Sequence, residues 1–578
     1  MKKVLSLLKN YKKEAFLAPF FKLVEAVFEL FVPLVMADII DVGIPTSDTS
    51  YIIKKGIVLV LLAAAGLSVS ITAQFFAAKA AVGVSGTLRK KLFDHIMGLE
   101  ASDVDKAGTS TLITRMTSDV NQVQTGINMS LRLLLRSPII VFGAMIMAFT
   151  IDVPSATIFC IAVPILAIIV IGITRFSIPM FAGVQKLLDK VMLSSRENLT
   201  GVRVIRAFNL QDDEKNSFYE KNNALKTKQI KSSDFTALTN PITFIIVNVA
   251  VMFLIWKGGL RVNMGAITQG QAVAILNYMS QILVELLKLT NLIVTITKSI
   301  ASAGRVSDVL DIETASPSKA KEDAEDVKLQ KQTDVSAPFI KFDHVSLKYT
   351  AGSDDALSDI TFEVKKGMTV GVIGGTGSGK SSLVNLIPVM YEASQGTVTV
   401  LGEDVKTCDR TKLRDRIGVV PQKAVLFKGT IRSNMQIGNE DATGDEMIEC
   451  LKKAQSFDFV SEKGGLDAEV LQNGKNFSGG QRQRLTIARA LVRKPEILIL
   501  DDSTSALDFL TEKHIREEIA KLEDMTVFIV SQRASSVMNA DMIIVLDDGK
   551  VVGIGTHDEL LKNCEVYEEI YYSQFERK

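Results

Sequence analysis

Cysteine, histidine and tryptophan are scarce in this chain of 578 residues, at four, four and one. The cysteines Cys160, Cys408, Cys450 and Cys564 have neither metal-ligand nor disulfide spacing, so they read as isolated reduced thiols. An excess of charge of one sign is missing as well. Lys and Arg total 66 against 65 Asp and Glu, so no nucleic acid or other polyanion is expected as a partner. The opening MKKVLSLLKNYKKE is basic and amphipathic, and no small-residue cleavage site follows it, so it is not expected to be a cleaved leader. Long apolar runs are lacking after residue 300.

Before that point they are dense. The length predicts two or more domains. A chain that is 47% hydrophobic and still 23% charged reads as a membrane half joined to a soluble half. Six spans are expected near 15–40, 57–82, 133–151, 156–176, 240–256 and 272–296, since a bilayer core needs about 20 apolar residues in a helix. Basic residues set the orientation. Lys2, Lys3, Lys9, Lys12 and Lys13 precede the first span, and Arg89, Lys90, Lys91, Arg115, Arg196, Arg203 and Arg206 follow the second and fourth. Lys54, Lys55, Lys257 and Arg261 fall on the opposite side without reversing the balance. The chain is therefore expected to be a multi-pass protein of the cell membrane, in contact with its lipids and with both termini cytoplasmic.

The segments 83–130 and 177–238 read as helices continued beyond the bilayer, each turning at a polar knot, LEASDVDKAG and RAFNLQDDEK. Glu25 and Glu29 share a helix face in the first span, as do Arg132 and Arg136 at the start of the third. Charge within lipid is costly, so pairing between helices or snorkelling near an interface is the expected reading and a polar cargo path the alternative. Pro33 and Pro164 are expected to kink or loosen their helices. Residues 1–312 thus form the expected membrane domain. Glu313 to Pro338 is polar and charged, with almost no large apolar side chain, and reads as a flexible linker. Residues 339–578 form the expected soluble domain.

There, short β-rich runs alternate with helical ones. TVGVIG leads into Gly374, Gly375, Thr376, Gly377, Ser378, Gly379, Lys380 and Ser381, with Ser382 opening a helix. This is G-x-x-x-x-G-K-S between a strand and a helix. Glycines let backbone N–H groups curl around a phosphate, Lys380 reaches the terminal phosphates, and the Ser381 hydroxyl ligates Mg2+. ILILDD, Ile497 to Asp502, is a buried strand ending in two carboxylates, and Asp501 is placed to hold Mg2+ through its hydration shell. Ser478, Gly479 and Gly480 open another helix whose free N–H groups form a second anion site. One nucleotide cannot easily use both phosphate sites of one compact domain. Two such domains paired head to tail, each lending its serine helix to the other's γ-phosphate, account for both.

The loop Gly374–Ser382, Gln422 in VVPQ, FSGGQ ending at Gln481, ILILDD and SALD, in this order, resemble the ATP-binding cassette (ABC) domain. Six spans ahead of it resemble an exporter half-transporter of that superfamily. The resemblance implies a six-helix transmembrane domain of the type I ABC exporter fold followed by an α/β P-loop nucleotide-binding domain, with ATP and Mg2+ as cofactors. It implies that Tyr349 stacks on adenine, that Gln422 senses magnesium and the γ-phosphate, and that Asp508 crosses the dimer interface. The knots near Ser102–Lys106 and Ala207–Asp212 would be the coupling helices.

Two positions depart from that pattern. Asp502 stands where the family carries the Glu that polarises the attacking water, and its carboxylate falls short by about 1.5 Å. A base must come within roughly 2.6–3.2 Å of its proton. Gln532 stands at the switch histidine, and an amide cannot carry a proton as imidazole does. All four histidines, His95, His344, His514 and His557, lie elsewhere. The serine helix is intact. A slow site of its own beside a serine helix fit for a partner predicts a second, non-identical half-transporter, as in heterodimeric bacterial multidrug exporters. The expected function is ATP-driven export of small amphipathic molecules. Alternatives are a lipid or peptide exporter, a homodimer with a slow Asp base, and an ATP-gated channel or regulatory subunit.

Overall fold

The computed structural model describes residues 6–313, 338–349, 354–522 and 524–576. The linker expected over 313–338 lies outside them except for its two end residues, as do Lys2 and Lys3. The chain divides into two compact units, one comprising Met1–Met97 and Gly108–Ile312, the other Gly98–Ala107 and Glu313–Lys578.

The first unit is helical. Among the described residues, five helices are long and apolar enough to cross a membrane: Thr49–Met97, Thr109–Ile151, Val153–Thr200, Gln211–Asn263 and Gln269–Leu310. In Thr49–Met97 only 6% of the most apolar stretch is buried. An apolar surface turned outward on this scale suits a lipid environment. The first expected span, 15–40, falls on a further helix, Lys12–Asp38, which is interrupted by three charges, Lys22, Glu25 and Glu29.

Those charges are paired. Arg136 donates to Glu29 at 2.6 Å and to Glu285 at 2.8 Å, with Glu25 3.8 Å away. Lys22 meets Glu25 at 2.5 Å, Lys288 meets Glu285 at 2.7 Å, and the Ser137 hydroxyl donates to Glu285 at 2.8 Å. Three cations therefore balance three carboxylates across three helices, which is the pairing between helices expected from the sequence. Two of the four basic residues on the unfavoured side have acidic partners: Lys55 pairs with Asp38 at 2.6 Å and Arg261 with Asp152 at 2.7 Å.

The polar knots break the long helices into short ones. The first contains the helix Ala101–Ala107, spanning the expected Ser102–Lys106. The second is displaced. Its short helix is Val202–Ala207, and the expected Ala207–Asp212 is instead the turn after it. The preceding helix stops at Gly201, whose N–H donates to Glu197 O at 2.7 Å, and Asn209 takes a left-handed φ of 55° at the second corner. The helices run through Pro33 and Pro164.

The second unit is α/β. Its strands are β1 (Ile340–Leu347), β2 (Leu357–Val364), β3 (Thr369–Gly374), β4 (Gln395–Val400), β5 (Glu403–Asp404), β6 (Ile417–Val420), β7 (Gly429–Thr430), β8 (Glu469–Val470), β9 (Ile497–Asp501), β10 (Thr526–Ser531), β11 (Met542–Asp547) and β12 (Lys550–Gly555). The main sheet has the order β12-β11-β3-β10-β9-β6, parallel except for β12. A smaller antiparallel sheet has the order β2-β1-β4-β5. Strands buried on both faces must be continuously apolar, and Ile497–Leu500 are 0–1% exposed. Each such side chain contributes about 1.5–3 kcal/mol of burial, so the strand end carrying Asp501 is rigidly placed. Val530 pairs with Asp501 and Ser531 with Ile373. The carboxyl ends of β3, β9 and β10 thus bring the glycine loop, the two aspartates and Gln532 to one edge, with Gln422 just beyond β6.

Candidate functional site

The loop after β3 depends on glycine at two positions in particular. A Cβ at Gly374 would lie 2.1 Å from Leu546 O, and Gly379 has φ of 93° with Ala356 O 2.7 Å from where its Cβ would sit. Gly375 and Gly377 instead face open space. The loop is thus packed on one side and open on the other, as a phosphate cradle requires. Lys380 is 8% exposed, and its ammonium donates to Gly374 O at 3.0 Å and Gly375 O at 2.5 Å. Burial pushes its pKa down, against the pull of Asp502 and Asp501. A buried ammonium folded onto its own loop gains from a phosphate anion.

Asp501 is 8% exposed and accepts from the Ser381 hydroxyl at 2.9 Å. Burial raises its pKa; the Ser381 bond opposes this, and the neighbouring Asp502 charge adds to it. Such a carboxylate is stabilised by a cation. The donor set of Ser381 hydroxyl, Asp501 carboxylate and Gln422 amide is all hard oxygen, which fits Mg2+ with phosphate and water completing the shell.

Asp502 lies one residue past the strand with φ of 43°. Its N–H still donates to Val530 O at 3.0 Å, and its carbonyl accepts from the Ser505 hydroxyl at 2.9 Å. A left-handed non-glycine residue is strained unless its surroundings hold it, and Asp is among the few that tolerate it. Gln422 Nε2 donates to Asp502 Oδ2 at 3.3 Å. Gln532 is exposed, and its carbonyl accepts from Gln574 Nε2 at 2.9 Å.

Ser478 caps the helix Gly479–Val492 by accepting from Gln481 N–H at 3.2 Å, while the Gln481 side chain accepts from Ser478 N–H at 3.0 Å. Ser478 is exposed, so the N-terminal turn of this helix is accessible. Gln483 holds the Ala506 N–H at 3.2 Å, tying this helix to the loop that ends in Asp508. Asp508 is exposed and caps the next helix through Thr511 N–H at 2.9 Å.

Tyr349 follows β1. Its hydroxyl lies 2.7 Å from the Ser382 hydroxyl, and its ring meets Tyr391 edge-on at 5.0 Å. Tyr391 donates to Asp105 at 2.7 Å, and burial with that bond pushes its pKa up to about 12. Sequence reasoning missed Tyr391; nothing in EASQG around it signals the contact. The sheet therefore gathers the glycine loop, Gln422, Asp501, Asp502 and Gln532, with Tyr349 at the rim. Ser478, Gly479, Gly480 and Gln481 open a separate helix.

Residues 15–286 match the family model of the ABC transporter transmembrane region, and residues 357–505 match that of the ABC transporter. An uncharacterized ABC transporter ATP-binding protein of Bacillus subtilis, YfiB, is 35% identical over 579 residues, covering 100% of this chain and 99% of its own. The putative multidrug export ATP-binding/permease protein YgaD of the same organism is 33% identical over 597 residues, covering 99% of each. Among solved structures, a bacterial Atm1-family ABC exporter with ATP bound superposes with a TM-score of 0.79 at 23% identity, covering 99% of each chain.

Proposed function

The chain belongs to the ABC transporter family, as an ATP-driven exporter half-transporter, and from that premise we propose that it is the degenerate-site subunit of a heterodimer that exports small amphipathic molecules. Residues 1–312 form its membrane domain with six spans, the helix Lys12–Asp38 supplying the first, and both termini are cytoplasmic. Residues 313–338 link this domain to the ATP-binding domain, 339–578.

Tyr349 stacks on adenine. The N–H groups of Gly374–Ser382 and the Lys380 ammonium bind the phosphates. Ser381, Asp501 and Gln422 would hold Mg2+, which when bound would supply positive charge against the phosphates. Asp502 orients the attacking water weakly, because its carboxylate is one methylene short. Gln532 can donate to the γ-phosphate but transfers no proton. ATP therefore stays in this site, while Ser478, Gly479, Gly480 and Gln481 complete the partner's site and Asp508 crosses between the domains. Closure of the two ATP-binding domains shifts the membrane helices from inward- to outward-facing. Hydrolysis at the partner's site resets the pair.

The observation that carries this reading is the combination of Asp502 and Gln532 at one edge with an intact Ser478 helix. The similarity to YgaD, a putative multidrug export protein, supports multidrug-type cargo. The test is ATP-dependent uptake of a fluorescent lipophilic cation by inverted vesicles containing this chain and its partner. Uptake that needs ATP and both chains is expected. Ion flux gated by ATP without uphill uptake would instead identify a channel subunit.

A further inference from the structure

The loop that carries Gln532 is held from the far end of the chain. Gln574 Nε2 donates to the Gln532 carbonyl at 2.9 Å, and Gln574 Oε1 accepts from the Ala534 N–H at 2.9 Å. One primary amide thus grips two main-chain groups two residues apart, across 42 and 40 residues of sequence. The two bonds need opposite chemistry, one donor and one acceptor. A primary amide supplies both from one side chain.

The grip has a firm base. Gln574 N–H donates to Tyr571 O at 3.0 Å, and the Tyr571 ring stacks on Phe575 at 4.7 Å. Tyr567, fully buried, lies with its hydroxyl 2.8 Å from His557 Nδ1. The opposite side of the loop is fixed by Arg516, which donates to Ser535 O at 2.8 Å and Ser536 O at 3.0 Å. Between these anchors, Arg533 donates to Ser505 O at 3.2 Å, and the Ser505 hydroxyl donates to Asp502 O at 2.9 Å. A continuous path of hydrogen bonds therefore runs from the C-terminal segment through the Gln532 loop to the backbone of Asp502.

We propose that Gln574 is a positioning residue of the ATP site, holding the Gln532 backbone so that its side chain stays in register with the γ-phosphate. The proposal rests on the reading of Gln532 as the switch position. Both ends of the Gln574 amide are taken up by the loop backbone. It acts through the loop, and the C-terminal segment thereby becomes a determinant of how long ATP is retained. Its surface location makes it replaceable without opening a core.

The experiment uses the full-length transporter assembled with its partner, and measures release of radiolabelled ATP from this chain together with kcat and KM for ATP. The variants are Gln574→Met, which keeps length but neither bond, Gln574→Glu, which keeps only the acceptor, Gln532→Ala, and Gln532→Ala combined with Gln574→Met. Loss of two hydrogen bonds, one exposed and one half-buried, is expected to speed release by about 5- to 10-fold in Gln574→Met. Gln574→Glu should not restore retention, and thermal midpoints should stay near that of the wild type. In the Gln532→Ala background, Gln574→Met should add nothing. Fully additive effects, or a silent Gln574→Met beside an active Gln532→Ala, would overturn the clamp alone. If Gln532→Ala itself leaves ATP release unchanged, the switch reading and the clamp fall together.

Discussion

Gln422 Nε2 donates to Asp502 Oδ2 across 3.3 Å, so the metal-side loop and the short carboxylate face each other at one sheet edge. Chain geometry sets this relationship. β9 fixes Asp501, the left-handed turn at Asp502 directs its backbone, and β10 delivers Gln532 alongside. On the proposed reading the site lacks reach and a proton carrier, and each can be restored separately.

Asp502→Glu is therefore expected to raise ATP turnover at this chain's site by no more than about 10-fold while Gln532 remains. Adding Gln532→His should bring the gain to roughly 10²-fold, the scale of correcting about 1 Å of misplacement. Turnover by the assembled transporter, with the partner's base removed so that only this site reports, checks both values.

The serine helix can be tested without unfolding it. Asp caps helices as well as Ser, so Ser478→Asp should preserve the helix while placing a negative charge where a γ-phosphate would bind. Hydrolysis at the partner's site should fall by roughly 10²-fold, as for loss of an oxyanion donor. Fluorescent ATP binding to this chain's own glycine loop should be unchanged. Equal loss of both would mean that Ser478 serves its own site.

As a proposed Mg2+ ligand, Asp501 would serve function at a cost to stability. Its folded-state pKa lies above the ordinary carboxylate value, raised chiefly by burial. An acid shifted upward destabilises the native state above both pKa values, and that penalty disappears as pH falls through the raised pKa to the unfolded value near ~3.9. Asp501→Asn should therefore melt higher than the wild type in nucleotide-free protein at pH 8. The difference should narrow as pH falls into the carboxylate range, and Mg2+ with ATP should stabilise only the wild type. Thermal scans from pH 8 to pH 4.5 measure it.

In the membrane unit, Arg136 balances Glu29 and Glu285. Removing one partner of a buried ionic group costs about 3–5 kcal/mol, so Arg136→Met should sharply lower the thermal midpoint in detergent. Adding Glu285→Gln should recover part of that loss, because without Arg136 the buried Glu285 carboxylate keeps only one of its two cations, Lys288. Equal midpoints for the single and double variants would show that the two side chains are not coupled.

The legibility of these features in the sequence follows their physical origin. The glycine loop was readable because a backbone cradle requires glycine at fixed spacing before Lys380 and Ser381. The strand Ile497–Asp501 was readable because burial on both faces demands an unbroken apolar run. Glu25 and Glu29 were recognisable as charges needing partners, but Glu285 was not, since pairing across 149 residues between Arg136 and Glu285 leaves no local pattern. The second short helix lies earlier than the polar cluster at Asp212–Lys215 suggests, because the long helix already stops at Gly201. Tyr391 and Gln574 were illegible for the same reason as Glu285. Their roles exist only once the fold brings Asp105 and Gln532 beside them.

The central claim is that this chain holds ATP and relies on another subunit to cleave it. Its most direct test is steady-state ATP turnover by the full-length chain purified alone in lipid nanodiscs, compared with the same chain assembled with a half-transporter carrying Glu and His at the positions of Asp502 and Gln532. Turnover at least 10²-fold faster in the mixed assembly is the predicted result. Brisk hydrolysis by the chain alone, at a rate matching the mixed pair, would contradict it.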